Sequence, residues 1–324
     1  MMNRAAAMLL IGATAWAASN FPQAAISNGP IQATVYLPDA HNGYYQATRF
    51  DWSGQIASLT YKGHSYFGAW NPAPYSPKLH DAIMGPVEEF LTRAAGLGYA
   101  DAKAGGTFVK IGVGVIRKPE ETGYQQFKTY EIVDPGKWVV QARRDSVEFV
   151  HSASDPSSGY AYRYRKLLQL LKGQPVLVLE HSLKNTGRKT IESDVYEHDF
   201  YMLDGQPTGP DVVIRFPFAV QATHDFGGMA ETRGRELVYL KELTGSQSVQ
   251  GDLTGFGSGL RDYDIVVENT KTGAGVRQTC DRPLARIHCW SIRSTACPEA
   301  YIHIKIAPGE TFTWKIAYRF YTIR

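Results

Sequence analysis

Apolar and polar residues alternate along most of this chain, with the period of two that is typical of half-buried β-strands. The residues Lys-Gly-Gln-Pro at 172–175 predict a turn, because proline cannot donate a hydrogen bond inside a sheet. Short strands at regular intervals with turn residues between them indicate an all-β sandwich or barrel. The alternation predicts strands over residues 31–37, 108–115, 137–142, 146–151, 160–171, 176–183, 212–218, 264–268, 276–280, 287–292, 300–306 and 311–321.

Helical signals are weak in this sequence. No 12-residue window combines a persuasive apolar stripe with capping residues, and residues 86–95 are the segment that could hold a short helix. The least regular segment is 65–106, and long irregular segments on a β scaffold usually carry binding residues. The sequence contains no linker-like stretch and no clear repeat, so residues 18–324 are predicted to form one domain.

The first seventeen residues predict a Sec-type signal peptide. Arg4 gives a positive start, residues 5–13 form an apolar run, and Ala-Trp-Ala at 15–17 matches a cleavage site. We therefore expect residues 1–17 to be removed and the protein to be periplasmic or secreted. No later apolar stretch approaches the roughly 20 residues of a membrane helix, so no membrane insertion is expected.

Composition narrows the function. The 324-residue chain has a formal net charge of +3, and its basic residues are scattered, which argues against nucleic-acid binding. Aromatic residues make up 12% of the chain, which suits both β-structure and stacking on sugar rings. Cys280, Cys289 and Cys297 match no zinc-ligand spacing. In an oxidising compartment one pair of them could be bridged, and the sequence leaves the pairing open.

Two segments combine titratable and aromatic side chains. Residues 196–201 (Tyr-Glu-His-Asp-Phe-Tyr) place His198 among acids on a predicted strand. Glu299 stands beside a proline at the start of another predicted strand, where it can point into a cleft. Each has a structural alternative: a histidine that is satisfied by acidic neighbours, and a carboxylate that is solvated in a turn.

A third segment, residues 81–90, contains Glu88 and Glu89. Because neighbouring side chains point in different directions, we expect at most one of the two inside a site. The alternative is a helix N-terminus, which favours acidic residues. Arg49 lies in a predicted strand and has a planar guanidinium that suits sugar hydroxyls or a uronic carboxylate, although a surface ion pair is equally simple.

Together these segments resemble the galactose mutarotase-like (aldose 1-epimerase-like) superfamily. The resemblance lies in Leu-Lys-Asn-Thr-Gly at 183–187, the histidine segment at 196–200, Gly-Pro at 209–210 and Ala-Pro-Gly-Glu-Thr-Phe at 307–312. It implies a large, twisted, antiparallel β-sandwich that presents an open cleft to a monosaccharide. It also implies that His198 protonates the ring oxygen and that Glu299 takes the proton from the anomeric hydroxyl, with no metal and no cofactor.

The chain departs from the family pattern at three places. Glu197 stands where the family has asparagine, and residues 85–89 replace the sugar-binding arginine stretch. The Leu-His-Gly segment, which carries a second family histidine, has no counterpart here. These changes substitute acids for neutral or cationic groups, so they bear on the identity of the sugar.

The predicted site has His198 and Glu299 as catalytic residues. Aromatic candidates for stacking on a sugar are Trp52, Trp70, Tyr99, Tyr196, Trp290 and Tyr301. The predicted substrate-binding residues are Arg49, Glu88, Glu89, Glu197, Trp70 and Tyr301. The leading hypothesis is an exported mutarotase-like enzyme that acts on a mono- or oligosaccharide. The alternatives are a carbohydrate-binding protein without catalysis, and an accessory of a polysaccharide lyase or glycoside hydrolase.

Overall fold

A computed structural model describes residues 21–323, so the predicted signal peptide lies outside the described residues. Two short 3₁₀-helices, Leu203–Gly205 and Leu260–Asp262, interrupt a chain of strands. In chain order the strands are β1 (Gln23–Ser27), β2 (Ile31–Tyr36), β3 (Ile56–Tyr61), β4 (His64–Ser65), β5 (Val87–Leu91), β6 (Thr107–Lys110), β7 (Gly114–Arg117), β8 (Ile132–Asp134), β9 (Lys137–Ala142), β10 (Ser146–Asp155), β11 (Tyr160–Leu170), β12 (Val176–Asn185), β13 (Ile191–His198), β14 (Val212–Arg215), β15 (Gln221–Ala222), β16 (Ala230–Arg233), β17 (Glu236–Tyr239), β18 (Val249–Thr254), β19 (Asp264–Asn269), β20 (Ala274–Cys280), β21 (Arg286–Ile292), β22 (Thr295–Ile306) and β23 (Thr311–Thr322).

Two large sheets make up the sandwich. One has ten strands in the order β16-β17-β14-β19-β20-β23-β12-β11-β10-β9, and the other has six in the order β15-β18-β21-β22-β13-β5. Neighbouring strands pair antiparallel in both sheets. Apolar side chains from both sheets, including Leu179 and Tyr318 from the larger and Val195 and Ile302 from the smaller, share one core. The predicted all-β sandwich is confirmed.

Two small sheets, β1–β4 and β6–β8, lie alongside the sandwich. A second apolar cluster includes Phe50, Trp70 and Phe108 from the loops and small sheets, and it also takes in Phe200 and Cys297. Because Cys297 belongs to β22 of the six-stranded sheet, this cluster fixes the loops against the outer face of that sheet.

Strict alternation gives the six-stranded sheet two different faces. On β13, Val195 belongs to the core between the sheets, whereas Tyr196 and His198 point to the opposite side. On β22, Ala300 faces the core, and Glu299 points outward. The outer face therefore carries the polar and aromatic side chains of both strands.

Four local predictions are wrong. Arg49 lies in the loop between β2 and β3 and not in a strand. Residues 108–115 form two strands, β6 and β7, because the chain reverses at Gly112, which has a φ of 79°. A β-carbon there would lie 2.5 Å from the Asp51 carboxylate, so only glycine fits. Residues 86–95 contain β5 and not a helix. Glu299 lies within β22 and not in a turn before it.

The three cysteines are free thiols in this structure. Burial raises the pKa of Cys289 to about 12 and the pKa of Cys280 to about 12, so both stay protonated at neutral pH. Protonated, buried thiols serve as small apolar side chains and not as nucleophiles. Within residues 21–323, no helix combines the length and apolar character that crossing a bilayer requires.

Candidate functional site

A cleft of about 420 Å³ opens on the outer face of the six-stranded sheet. Outward side chains of β13, β18, β21 and β22 contribute to it, and loop residues complete its walls. This volume lies within the range of small-molecule sites. The cleft is lined by Arg49, Trp70, His80, Asp81, Leu91, Ala94, Gln126, Phe127, Tyr196, His198, Phe200, Gln250, Arg286, His288, Trp290, Glu299 and Tyr301.

His198 and Glu299 meet in this cleft. Antiparallel pairing of β13 and β22 sets Glu197 opposite Ala300. The residues one step further along, His198 on β13 and Glu299 on β22, both point outward and are therefore neighbours. The His198 Nε2 atom lies 3.2 Å from the Glu299 Oε1 atom. The two residues are only 3% and 5% exposed. Strand register therefore brings together two groups that are 101 positions apart in sequence.

Burial sets the protonation of this pair. It raises the pKa of Glu299 to about 8, and the nearby Arg49 charge only partly offsets that rise. Burial, together with the positive charge of Arg49, holds the pKa of His198 well below 6.5. Near pH 7 the imidazole is neutral and the carboxyl keeps its proton. The pair thus offers one acid and one base that are in contact.

A network of hydrogen bonds holds the Arg49 side chain in the wall of the cleft. Its guanidinium donates to Glu89 at 2.9 Å, to Asp81 at 2.8 Å and to the Tyr196 hydroxyl at 3.3 Å. Glu89 also accepts bonds from the Tyr196 hydroxyl at 2.6 Å and from Gln126 at 2.9 Å. Burial acts to raise the pKa of Glu89, but the charges of Arg49 and Lys110, together with the hydrogen bonds from Tyr196 and Arg49, outweigh burial and lower the pKa. Arg49 is therefore a donor that two carboxylates hold in place.

Aromatic rings surround the acid–base pair. Phe200 stacks on His198 with ring centroids 3.7 Å apart, and Trp290 stands edge-on to His198 at 5.4 Å. Tyr301 donates a hydrogen bond to Glu299 at 3.2 Å. Phe127 is 61% exposed at the rim, and the Arg49 guanidinium lies 5.0 Å from its ring centre. Apolar faces beside polar tips match the two-sided chemistry of a sugar ring.

Of the predicted substrate-binding residues, Arg49, Trp70 and Tyr301 line the cleft, and Glu89 supports Arg49 from below. Glu88 and Glu197 do not line it, which corrects their assignment. Both point to the other side of their strands and are buried between the two sheets. The opposed directions of Glu88 and Glu89 follow from the alternation of β5.

A buried polar cluster lies behind the cleft, between the sheets. Glu88 contacts the Lys166 ammonium and the His181 ring. Glu88, His181 and Glu197 each offer one atom that could bind a metal ion, and these three atoms lie within 4.8 Å of one another. Lys166 already supplies a cation there, with its ammonium 3.6 Å from Asp51. We therefore interpret this cluster as a lysine-centred ion pair and not as a metal centre.

Several cleft residues were missed from sequence. His288 and Arg286 project outward from β21 and both contact Asp252, at 2.7 Å and 2.6 Å. Arg286, His288 and Trp290 alternate along the predicted strand, and this alternation could have placed all three on one face. Asp81, by contrast, comes from an irregular loop whose path no local pattern gives.

No protein-family model and no curated protein sequence matches this chain. Solved structures do resemble it. A putative aldose 1-epimerase from Escherichia coli K12 aligns over 94% of this chain and 100% of its own, with 14% identity and a TM-score of 0.57. A galactose mutarotase-like protein from Clostridium acetobutylicum aligns over 92% and 95%, with 12% identity and a TM-score of 0.56. A GalM/aldose epimerase homologue from C. elegans aligns over 94% and 100%, with 15% identity and a TM-score of 0.55. At these identities the likeness concerns the fold.

Proposed function

We propose that this chain, which has the galactose mutarotase-like fold, binds a sugar in the cleft and interconverts its two anomers. The observation that carries the proposal is the contact between His198 and Glu299 in a cleft that is lined by aromatic and polar side chains. Anomer interconversion needs one proton removed from O1 and another delivered to the ring oxygen, and these oxygens share one carbon. An acid and a base that are in contact can therefore reach both oxygens at once.

The protonation of the pair assigns the first step. His198 Nε2 takes the proton from the anomeric hydroxyl while the Glu299 carboxyl gives its proton to the ring oxygen. The bond from C1 to the ring oxygen breaks, and C1 and O1 form a carbonyl. This assignment exchanges the two roles that the family resemblance implies, because burial leaves the proton on Glu299 and the imidazole neutral.

The second half of the reaction returns Glu299 and His198 to their starting protonation states. Rotation about the C1–C2 bond turns the other carbonyl face toward the ring oxygen. Glu299, now ionised, takes back the proton from that oxygen as it attacks C1, and protonated His198 returns a proton to O1. Between the two halves, the imidazolium and the carboxylate stand 3.2 Å apart, where their opposite charges stabilise each other.

The test is anomer exchange measured by NMR on hexoses and uronic acids, with the parent protein, Glu299→Gln and His198→Ala. We expect the parent to exceed the buffer rate and each variant to lose roughly 10²- to 10⁴-fold. Glu120→Gln, at an exposed position outside the cleft, is the matched control. Buffer rates from all proteins would refute catalysis. Calorimetry would then separate sugar capture without turnover from no binding at all.

We also propose that the protein is exported. The charged start, the apolar run and the Ala-Trp-Ala sequence of residues 1–17 support this. N-terminal sequencing of the protein from the periplasmic or culture fraction tests it. A mature chain that begins near residue 18 agrees with export, whereas retention of residue 1 in the cytoplasmic fraction contradicts it.

A further inference from the structure

A second cavity, of about 480 Å³, lies beside the cleft on the same face of the sheet. Tyr196 and Tyr301, which are paired across β13 and β22, line the cleft. Asp194 and His303, the next outward pair on the same two strands, line the second cavity. Two residues of an antiparallel strand span about 7 Å, so the two spaces are neighbours. We call the second space the groove.

A narrow turn lies between the groove and the cleft. Leu91 borders both spaces. Thr92 and Ala95 exchange backbone hydrogen bonds of 3.2 Å and 2.9 Å around the turn. Its two central residues, Arg93 and Ala94, have φ values of 50° and 62°, a conformation that usually requires asparagine or glycine. Ala94 faces the cleft and Arg93 faces the groove, so a chain molecule passing over this turn would occupy both.

The groove offers hydrogen bonds with little net charge. Asp194 is paired with His303 at 2.8 Å, and Glu192 with Lys305 at 3.0 Å. Asp101 is likewise paired, with Lys189 at 3.1 Å. Carboxylates held in this way still have free lone pairs that accept bonds from hydroxyl groups. Such a surface suits polyhydroxylated, uncharged molecules.

The groove also has an aromatic wall. Tyr160 lines the groove and is half-buried. Gly98 packs against the Tyr160 ring, because a β-carbon at this glycine would come within 3.2 Å of the ring. The absence of a side chain at position 98 therefore lets the ring keep its place in the wall. A ring face beside hydrogen-bonding groups is the arrangement that also characterises the cleft.

We propose that the groove binds the further units of an uncharged reducing oligosaccharide, whose terminal unit lies at His198 and Glu299. The inference rests on the proposed function for the position of that terminal unit. The continuity of the groove with the cleft, and its own hydrogen-bonding groups, support oligosaccharide binding whether or not catalysis occurs.

Calorimetry and NMR anomer exchange with reducing sugars of one, two and three units test the groove. Suitable probes are glucose, cellobiose and cellotriose, with the corresponding galactose and mannose series. Ala100 is exposed and lines the groove, so Ala100→Trp fills the groove without touching the cleft. Ala104→Trp, at an exposed position that lines neither space, is the matched control. Thr190→Trp blocks the groove from another segment in case Ala100→Trp misfolds.

In the parent protein we expect the trisaccharide of the preferred series to bind at least tenfold more tightly than the monosaccharide. Ala100→Trp and Thr190→Trp should remove this gain and leave monosaccharide binding unchanged, whereas Ala104→Trp should keep the gain. Equal affinity for all lengths, or a gain that survives both blocking variants, overturns the groove. A length-dependent gain without anomer exchange supports the groove and contradicts the enzyme, whereas exchange without the gain does the reverse.

Discussion

Lys166 is the cation of the buried cluster, and its replacement by methionine should strongly destabilise the protein. The side chains of Lys166, Glu88 and Asp51 are all 0% exposed. The ammonium contacts Glu88, lies 3.6 Å from Asp51 and donates to the Ser53 carbonyl at 3.1 Å. Methionine has a similar shape but no charge, so Lys166→Met leaves Glu88 buried without its counter-charge.

The pKa of Glu88 indicates how strongly its surroundings favour the ionised carboxylate. Burial acts to raise it, but the charge of Lys166 and the contact with His181 outweigh burial and lower the pKa from 4.5 to about 2. That difference corresponds to about 3 kcal/mol in favour of the ionised carboxylate. That figure is the net of burial and both partners, and removal of one member of a buried ion pair typically costs about 3–5 kcal/mol, so we expect a loss in this range. A loss of this size is a large fraction of the roughly 5–15 kcal/mol that stabilises a folded protein.

Urea unfolding at pH 7, followed by tryptophan fluorescence, measures the effect. With a slope of about 3 kcal/mol per M, the midpoint of Lys166→Met should fall by roughly 1 M or more. Lys184→Met, at an exposed position on β12, is the control and should shift the midpoint little. Adding Glu88→Gln to Lys166→Met should recover part of the loss, because the uncompensated charge is then absent. A midpoint equal to that of the control, or a double variant less stable than Lys166→Met, would refute the reasoning.

Three further predictions concern pH and backbone conformation. Burial raises the pKa of Glu299 to about 8 and that of Asp51 to about 7, so these two groups keep protons in the folded state that the unfolded state has lost between about pH 6.5 and 8. Below that window the buried His198, whose pKa is lowered, opposes the effect. Stability measured by calorimetry should therefore fall across this window, by at most about 1.4 kcal/mol per pH unit for each group, and Glu299→Gln should flatten the slope. The rate of anomer exchange should fall as pH rises through about 8, when Glu299 loses its proton, and fall again in acid when His198 gains one; a rate that rises above pH 8 would contradict the assigned roles. Ala94→Gly should raise the free energy of unfolding by about 0.5–1 kcal/mol, because glycine tolerates the positive φ of that turn, and an unchanged urea midpoint would contradict this.

The sequence determined much of the fold and part of the site. Alternation of apolar and polar residues is local information, and it predicted the strands and the sandwich because a strand with one buried face must alternate. The same period predicted that Glu88 and Glu89 point in different directions. Family resemblance then singled out His198 and Glu299, which lie in contact.

Tertiary structure alone decided which face of each strand became the cleft. Glu88 and Glu197 were assigned to the substrate but lie between the sheets, because the position of the ten-stranded sheet, and not the local pattern, determines which side is covered. The chain reverses at Gly112, which splits one predicted strand into two. Asp51, 61 positions away, leaves no room for a β-carbon at this turn. The protonation of His198 and Glu299 likewise depends on burial beneath loops that join only in the folded chain. Distances and desolvation arise from contacts between segments that are remote in sequence, and no local pattern encodes them.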